Sequence, residues 1–95
     1  MNHYGARAHR HWQTHLPERY AQIPDPESHF AALGQEIAEL VDQRADQIAG
    51  DDPVGEDYLT KAGRLKEARL TAEDEVLREM LPEPQEEEPA ELADQ

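Results

Sequence analysis

The sequence predicts an all-α protein: an antiparallel helical hairpin, a short N-terminal helix packed on it, and a disordered acidic C-terminal tail. Three observations carry this. Apolar residues recur at helical spacing from Phe30 to Ile48, and again from Tyr58 to Val76. Between the two runs, Gly50-Asp51-Asp52-Pro53 combines a helix stop with a helix start. Composition changes at both ends, which divides the chain into residues 1–24 (short helix and connector), 25–81 (hairpin) and 82–95 (tail).

In the N-terminal segment, Tyr4, Ala8, Trp12 and Leu16 or His15 fall on one side at spacings of four. Pro17 should end that helix, because the residue before a proline is pushed out of the α region. Trp12, the single tryptophan, is the natural anchor of this helix on the hairpin. Glu18–Pro24 reads as an irregular connector in which Tyr20 and Ile23 can pack.

Asp25-Pro26-Glu27 opens the first hairpin helix with a cap, a first-turn proline and an acid at the positive end. It should run to Ala49, roughly 36 Å at about 1.5 Å per residue, and close at Gly50 in a left-handed cap. Asp52-Pro53 repeats the start signal, so the partner helix is expected from Pro53–Glu56 to about Met80. Gly63 weakens its interior by about 1 kcal/mol, and Thr71-Ala72-Glu73-Asp74 resembles a cap, which allows a kink near Leu70. Folded antiparallel, the stripes match Ile48 with Tyr58, Ala45 with Ala62, Leu40 and Val41 with Leu65, Ile37 with Ala68, Leu33 with Ala72 and Phe30 with Val76. The same register sets Glu39 near Lys66, Glu36 near Arg69 and Asp42 near Arg64.

Asp and Glu number 22 against 9 Lys and Arg, a net charge of −13. Such a surface repels nucleic acid and anionic membrane and favours basic partners. Charge is uneven: residues 1–22 carry three arginines against Glu18, while residues 82–95 carry six acids and no base. Three prolines among those acids leave the tail too little apolar surface to offset chain entropy. Cysteine is absent, which removes disulfides and thiolate chemistry. No apolar run approaches the roughly 20 residues of a membrane span, and no signal-peptide core opens the chain. A cytoplasmic location is therefore expected.

Catalytic signals are missing. Ser28 is the only serine and sits in a helix first turn, the five glycines form no phosphate loop, and no cofactor is implied. His3, His9, His11 and His15 crowd the first helix; His11 and His15 share a face but lack a third ligand. Exposed histidines that gain charge in mild acid explain them more simply. Lys61, Arg64, Lys66 and Arg69 form a basic run better explained by pairing within the hairpin than by nucleic acid.

Two surfaces point to partners. Leu59, Leu70, Leu77 and Leu81 lie off the hairpin seam, on one line with Gly63. Either the first helix crosses this line with Trp12 and Leu16, or a second subunit (a homodimer) or a foreign protein covers it. Trp12, Leu59, Leu70 and Leu77 are thus the candidate partner-binding residues. On the other hairpin helix, Glu36, Glu39, Asp42 and Asp46 line one side, with Glu73, Asp74, Glu75 and Glu79 grouped opposite. Rows of carboxylates on rigid helices can imitate duplex phosphates and occupy a DNA-binding groove on another protein.

The chain resembles small uncharacterised acidic helical proteins of actinobacterial phages and mobile elements. The shared features are His3-Tyr4-Gly5 with Ala8, His11-Trp12, Leu16-Pro17, and Asp25-Pro26-Glu27 with Phe30 and Leu33-Gly34. Asp52-Pro53, Tyr58-Leu59, Gly63-Arg64-Leu65, Ala68-Arg69-Leu70 and the Pro/Glu-rich end continue the pattern. The resemblance implies an accessory protein whose target is another macromolecule, and it transfers no functional residue. The expected function is a non-enzymatic adaptor acting by protein contact; the alternative is an acidic DNA mimic that inhibits a DNA-binding or defence protein.

Overall fold

A computed structural model describes residues 1–84; residues 85–95, most of the predicted tail, lie outside the described part. The described residues form four helices: α1 (His3–His15), α2 (Pro17–Ala21), α3 (Pro26–Ala49) and α4 (Tyr58–Met80). Among the described residues there is no strand. The all-α hairpin with a short helix packed on it is what the chain forms.

α1 starts at Asn2, whose side-chain oxygen accepts from the Gly5 amide at 2.8 Å. It ends where Leu16, just before Pro17, leaves the helical region. The connector is not irregular throughout: Pro17 occupies the first turn of α2, five residues long, where its missing N–H costs nothing. Asp25 caps α3 as expected, accepting from the Ser28 amide at 3.3 Å.

The bend differs from its predicted form. Gly50 does take positive φ (65°), but its ψ of −159° sends the chain onward extended rather than closing a left-handed cap. A second positive-φ glycine, Gly55 (80°), follows. The helix start at Asp52-Pro53 is not used; Asp57 caps α4 instead, accepting from the Thr60 amide at 2.8 Å. Asp52 is engaged elsewhere, in ion pairs with Lys61 and Arg64. Once begun, α4 runs unbroken through Gly63, Leu70 and Thr71 to Met80.

The longer bend shifts the register. Arg69 pairs with Asp42 at 2.9 Å rather than with Glu36. Arg64 reaches the Ala49 carbonyl, Asp52 and Glu56 rather than Asp42. Both differences correspond to a slide of about two turns. Lys66 and Glu39 do not meet in any pair among the described residues; Arg44 takes a forked position instead, at 2.9 Å from both Glu75 and Glu79. Ile37 and Val41 consequently join Ala72, Val76 and Leu77 in one buried cluster with Tyr4. Tyr58, predicted to face Ile48, is 80 % exposed, because the first turns of α4 project past the end of α3.

α1 lies on α3, not along the leucine line of α4. The two helices cross at Gly5 and Gly34, where a Cβ on Gly34 would stand 2.8 Å from Gly5 Cα, and one on Gly5 2.5 Å from the Phe30 carbonyl. Only glycine permits this approach. Asn2 ties the crossing together by donating from Nδ2 to the Gly34 carbonyl at 3.0 Å. Burial of Tyr4, Ala8, Leu16 and Phe30 then supplies the apolar free energy that holds α1 down.

Candidate interaction surface

The Leu59/Leu70/Leu77 line is divided by the position of α1. Leu77 is buried, sharing a cluster with Tyr4. Leu70 stays 55 % exposed and Leu59 78 % exposed. Between α1 and the C-terminal half of α4 runs a groove of about 430 Å³, its apolar floor made by Leu70, Leu77 and Leu81 and its walls by Arg7, His11, Glu73 and Arg78. At its end the His11 ring lies 2.7 Å from the Pro82 carbonyl, to which Nε2–H donates.

Trp12 faces inward at the opposite corner. Its ring meets His29 and Phe30 edge-on, at 6.1 and 5.9 Å, and Arg19 lies over its outer face at 4.9 Å. Nearby, His9 stacks on Phe30 and shares a 2.8 Å hydrogen bond with the Tyr20 hydroxyl. Trp12 thus locks α1 and α2 onto α3.

The acidic surfaces are less uniform than composition suggests. Glu36, Glu39, Asp42 and Asp46 are all exposed along the outer side of α3, but Asp42 is engaged by Arg69. On α4, Glu73 accepts from the Tyr4 hydroxyl at 2.6 Å, Asp74 pairs with Arg78, and Glu75 and Glu79 with Arg44. Arg44 holds the Glu79 carboxyl below its ordinary value through that hydrogen bond. Tyr4 is pushed above 10.0, first by burial and then by its bond to Glu73.

His11 and His15 lie with ring centroids 5.0 Å apart. Among the described residues, no group of three His, Asp or Glu side chains is placed to hold a metal ion. Nor is any described helix long and apolar enough to cross a membrane.

Two features of this surface escaped the sequence reading. Arg7 and His11, four apart, form the wall of the groove, and their spacing on one face of α1 was the available signal. Asn2, the cap that bridges to Gly34, precedes the apolar pattern and carried no hydrophobic signal.

Comparison with known proteins places the chain in no group: no family model, no curated protein and no solved structure matches it.

Proposed function

We propose that this is a non-enzymatic adaptor or accessory protein that works by protein–protein contact, its recognition site being the groove between α1 and α4. The observation that supports this is the groove itself: an apolar floor of Leu70, Leu77 and Leu81 beside Arg7, His11 and Arg78. Such a surface suits an apolar side chain of another protein whose flank carries an acid that meets Arg7, since Arg78 already pairs with Asp74 on the same wall. Cytoplasmic action and a mobile-element setting, as in the proteins it resembles, fit a small partner-binding chain of this kind. No nucleic acid or membrane contact is proposed, since the net charge of −13 opposes both.

The second reading, a DNA mimic, draws on Glu36, Glu39 and Asp46, exposed in a row with no ion pair among the described residues. Capture of partners from the native host, with washes at low and high salt, separates the two. Contact through the groove should survive high salt and be lost with Leu70→Glu. A mimic should release its target as salt rises and be lost when Glu36, Glu39 and Asp42 become glutamine. Capture unaffected by either set of changes would remove both readings.

A further inference from the structure

The overhanging start of α4 is a face without a partner. Tyr58 (80 % exposed), Leu59 (78 %) and Leu65 (42 %) surround Ala62 and Gly63; the first two and the small pair lie beyond the end of α3, and Leu65 stands level with that end. Tyr58, Ala62 and Leu65 continue, toward the N-terminus, the same helical face that buries Ala72 and Val76 lower down. They are core-facing residues with no core to face.

Gly63 adds a separate observation. A glycine inside a helix weakens it, and the two other helical glycines, Gly5 and Gly34, are each required by a close backbone crossing. Around Gly63 nothing among the described residues lies within 4 Å of where a Cβ would sit. No contact among the described residues explains it.

We infer that this face is where a second copy of the chain docks, the two α4 overhangs crossing antiparallel at Ala62–Gly63. This does not depend on the groove between α1 and α4. Tyr58, Leu59, Ala62 and Leu65 together expose roughly 400 Å² of apolar surface, from their fractional exposures and ordinary side-chain areas. A standard interface of about 800 Å² per partner, about 60 % apolar, needs somewhat more than that, so the self-contact is of the weak, concentration-dependent kind.

Charge selects the antiparallel arrangement. Asp51, Asp52, Glu56 and Asp57 come first along the segment, and Lys61, Arg64, Lys66, Glu67 and Arg69 follow. Asp52 and Glu56 already pair with Lys61 and Arg64, and Arg69 with Asp42, within the chain. A parallel pairing would still set the remaining like charges side by side. The antiparallel one brings Lys66, which has no ion partner among the described residues, toward Asp57 of the other copy. Elsewhere on its surface, a chain of net charge −13 repels its own copy. The overhang, where bases are densest, is the place where self-contact meets least resistance.

The test is sedimentation velocity on the full chain (10.8 kDa) from about 1 to about 500 µM, at low and high salt. The expected result is a concentration-dependent doubling of mass that strengthens several-fold at high salt, as screening removes the net repulsion. Gly63→Leu and Leu59→Glu should each weaken it at least tenfold, with circular dichroism confirming that helix content is kept. The natural sequence has no cysteine, so a mixture of Tyr58→Cys and Lys66→Cys chains should oxidise to the mixed disulfide. A chain that stays monomeric throughout would overturn the inference, even if the same face captures a foreign protein. So would a dimer indifferent to both substitutions, one that dissociates as salt rises, or like-with-like disulfides alone.

Discussion

Replacing Gly34 with alanine should loosen α1, and the same exchange at Gly63 should strengthen the fold. Each substitution gains about 1 kcal/mol of helix propensity. At Gly63 that gain stands alone, since nothing among the described residues lies within 4 Å of the new methyl group. At Gly34 the methyl carbon would sit 2.7 Å from the Gly5 amide nitrogen and 2.8 Å from its Cα. Carbon contacts are comfortable at about 3.5–4.0 Å, so α1 and α3 must separate by roughly 1 Å. Overpacking of this kind costs about 1–3 kcal/mol. The propensity gain is common to both variants and cancels between them, so they should differ by about that amount. Urea denaturation at a few micromolar, where association contributes least, reads the difference. Circular dichroism follows the helices. Trp12 fluorescence follows the α1 corner, because its ring packs on Phe30, His29 and Arg19. Gly34→Ala should shift Trp12 emission to the red and move its transition to lower urea, ahead of the helix signal. If Gly34→Ala is instead as stable as Gly63→Ala, with tryptophan emission unchanged, the close crossing is wrong.

Other outcomes follow from the same contacts. Leu77→Ala should cost about 2–4 kcal/mol, as its side chain is buried, whereas Leu70→Ala should stay within about 1 kcal/mol; equal losses in urea melts would contradict the position of α1. Asp57→Ala should remove about 1 kcal/mol by uncapping α4, visible as faster amide exchange at Tyr58–Lys61 and not at Val76. Tyr4 is raised above 10.0 by burial and by Glu73, so its contribution is complete below pH 10.0 and lost as pH climbs through the higher folded value. Trp12 fluorescence should therefore report undocking of α1 only above pH 10, and Tyr4→Phe should abolish that step while costing roughly 1–2 kcal/mol at neutral pH. Asp52 and Asp57 are held below 3.8, by Lys61 and by the Thr60 amide respectively. Their stabilisation is full above 3.8 and disappears as pH falls through the lower folded values; helicity at the start of α4 should persist to about pH 4, and loss beginning near pH 5 would implicate other groups.

The helical content was legible because the apolar period is long and Asp25-Pro26 is a strong start. The register was not, and the reason lies in the bend. Asp52-Pro53 looks like a helix start, yet Asp57 caps α4 and leaves Asp52 to Lys61 and Arg64. That later start lengthens the connection, and the favourable match of Ile37 and Val41 with Ala72 and Val76 then wins over the predicted one. An ion-pair ladder gave no independent check, because a helix carrying acids and bases every three or four residues offers plausible pairs in several registers. The α1–α3 crossing was hidden for a different reason. Gly5 and Gly34 have no side chain to enter a hydrophobic pattern, and their role shows only when two backbones meet. Of the candidate surface, the leucine line was read from spacing alone; which leucine stays in water depends on where α1 lies, a long-range fact.

The fully buried large side chains, Leu16, Phe30, Ile37, Val41 and Val76, are not spread along the molecule. They gather where three helices overlap, and thin out toward Gly50 and Tyr58. Stiffness is therefore graded, as in a reed held at its base. Heat or denaturant should peel the hairpin from its free end inward, so amides near Ile48 and Leu59 exchange long before those of Ile37. A molecule gripping that free end would add rigidity where the chain alone has least, and its arrival should be felt first as a slowing of exchange there.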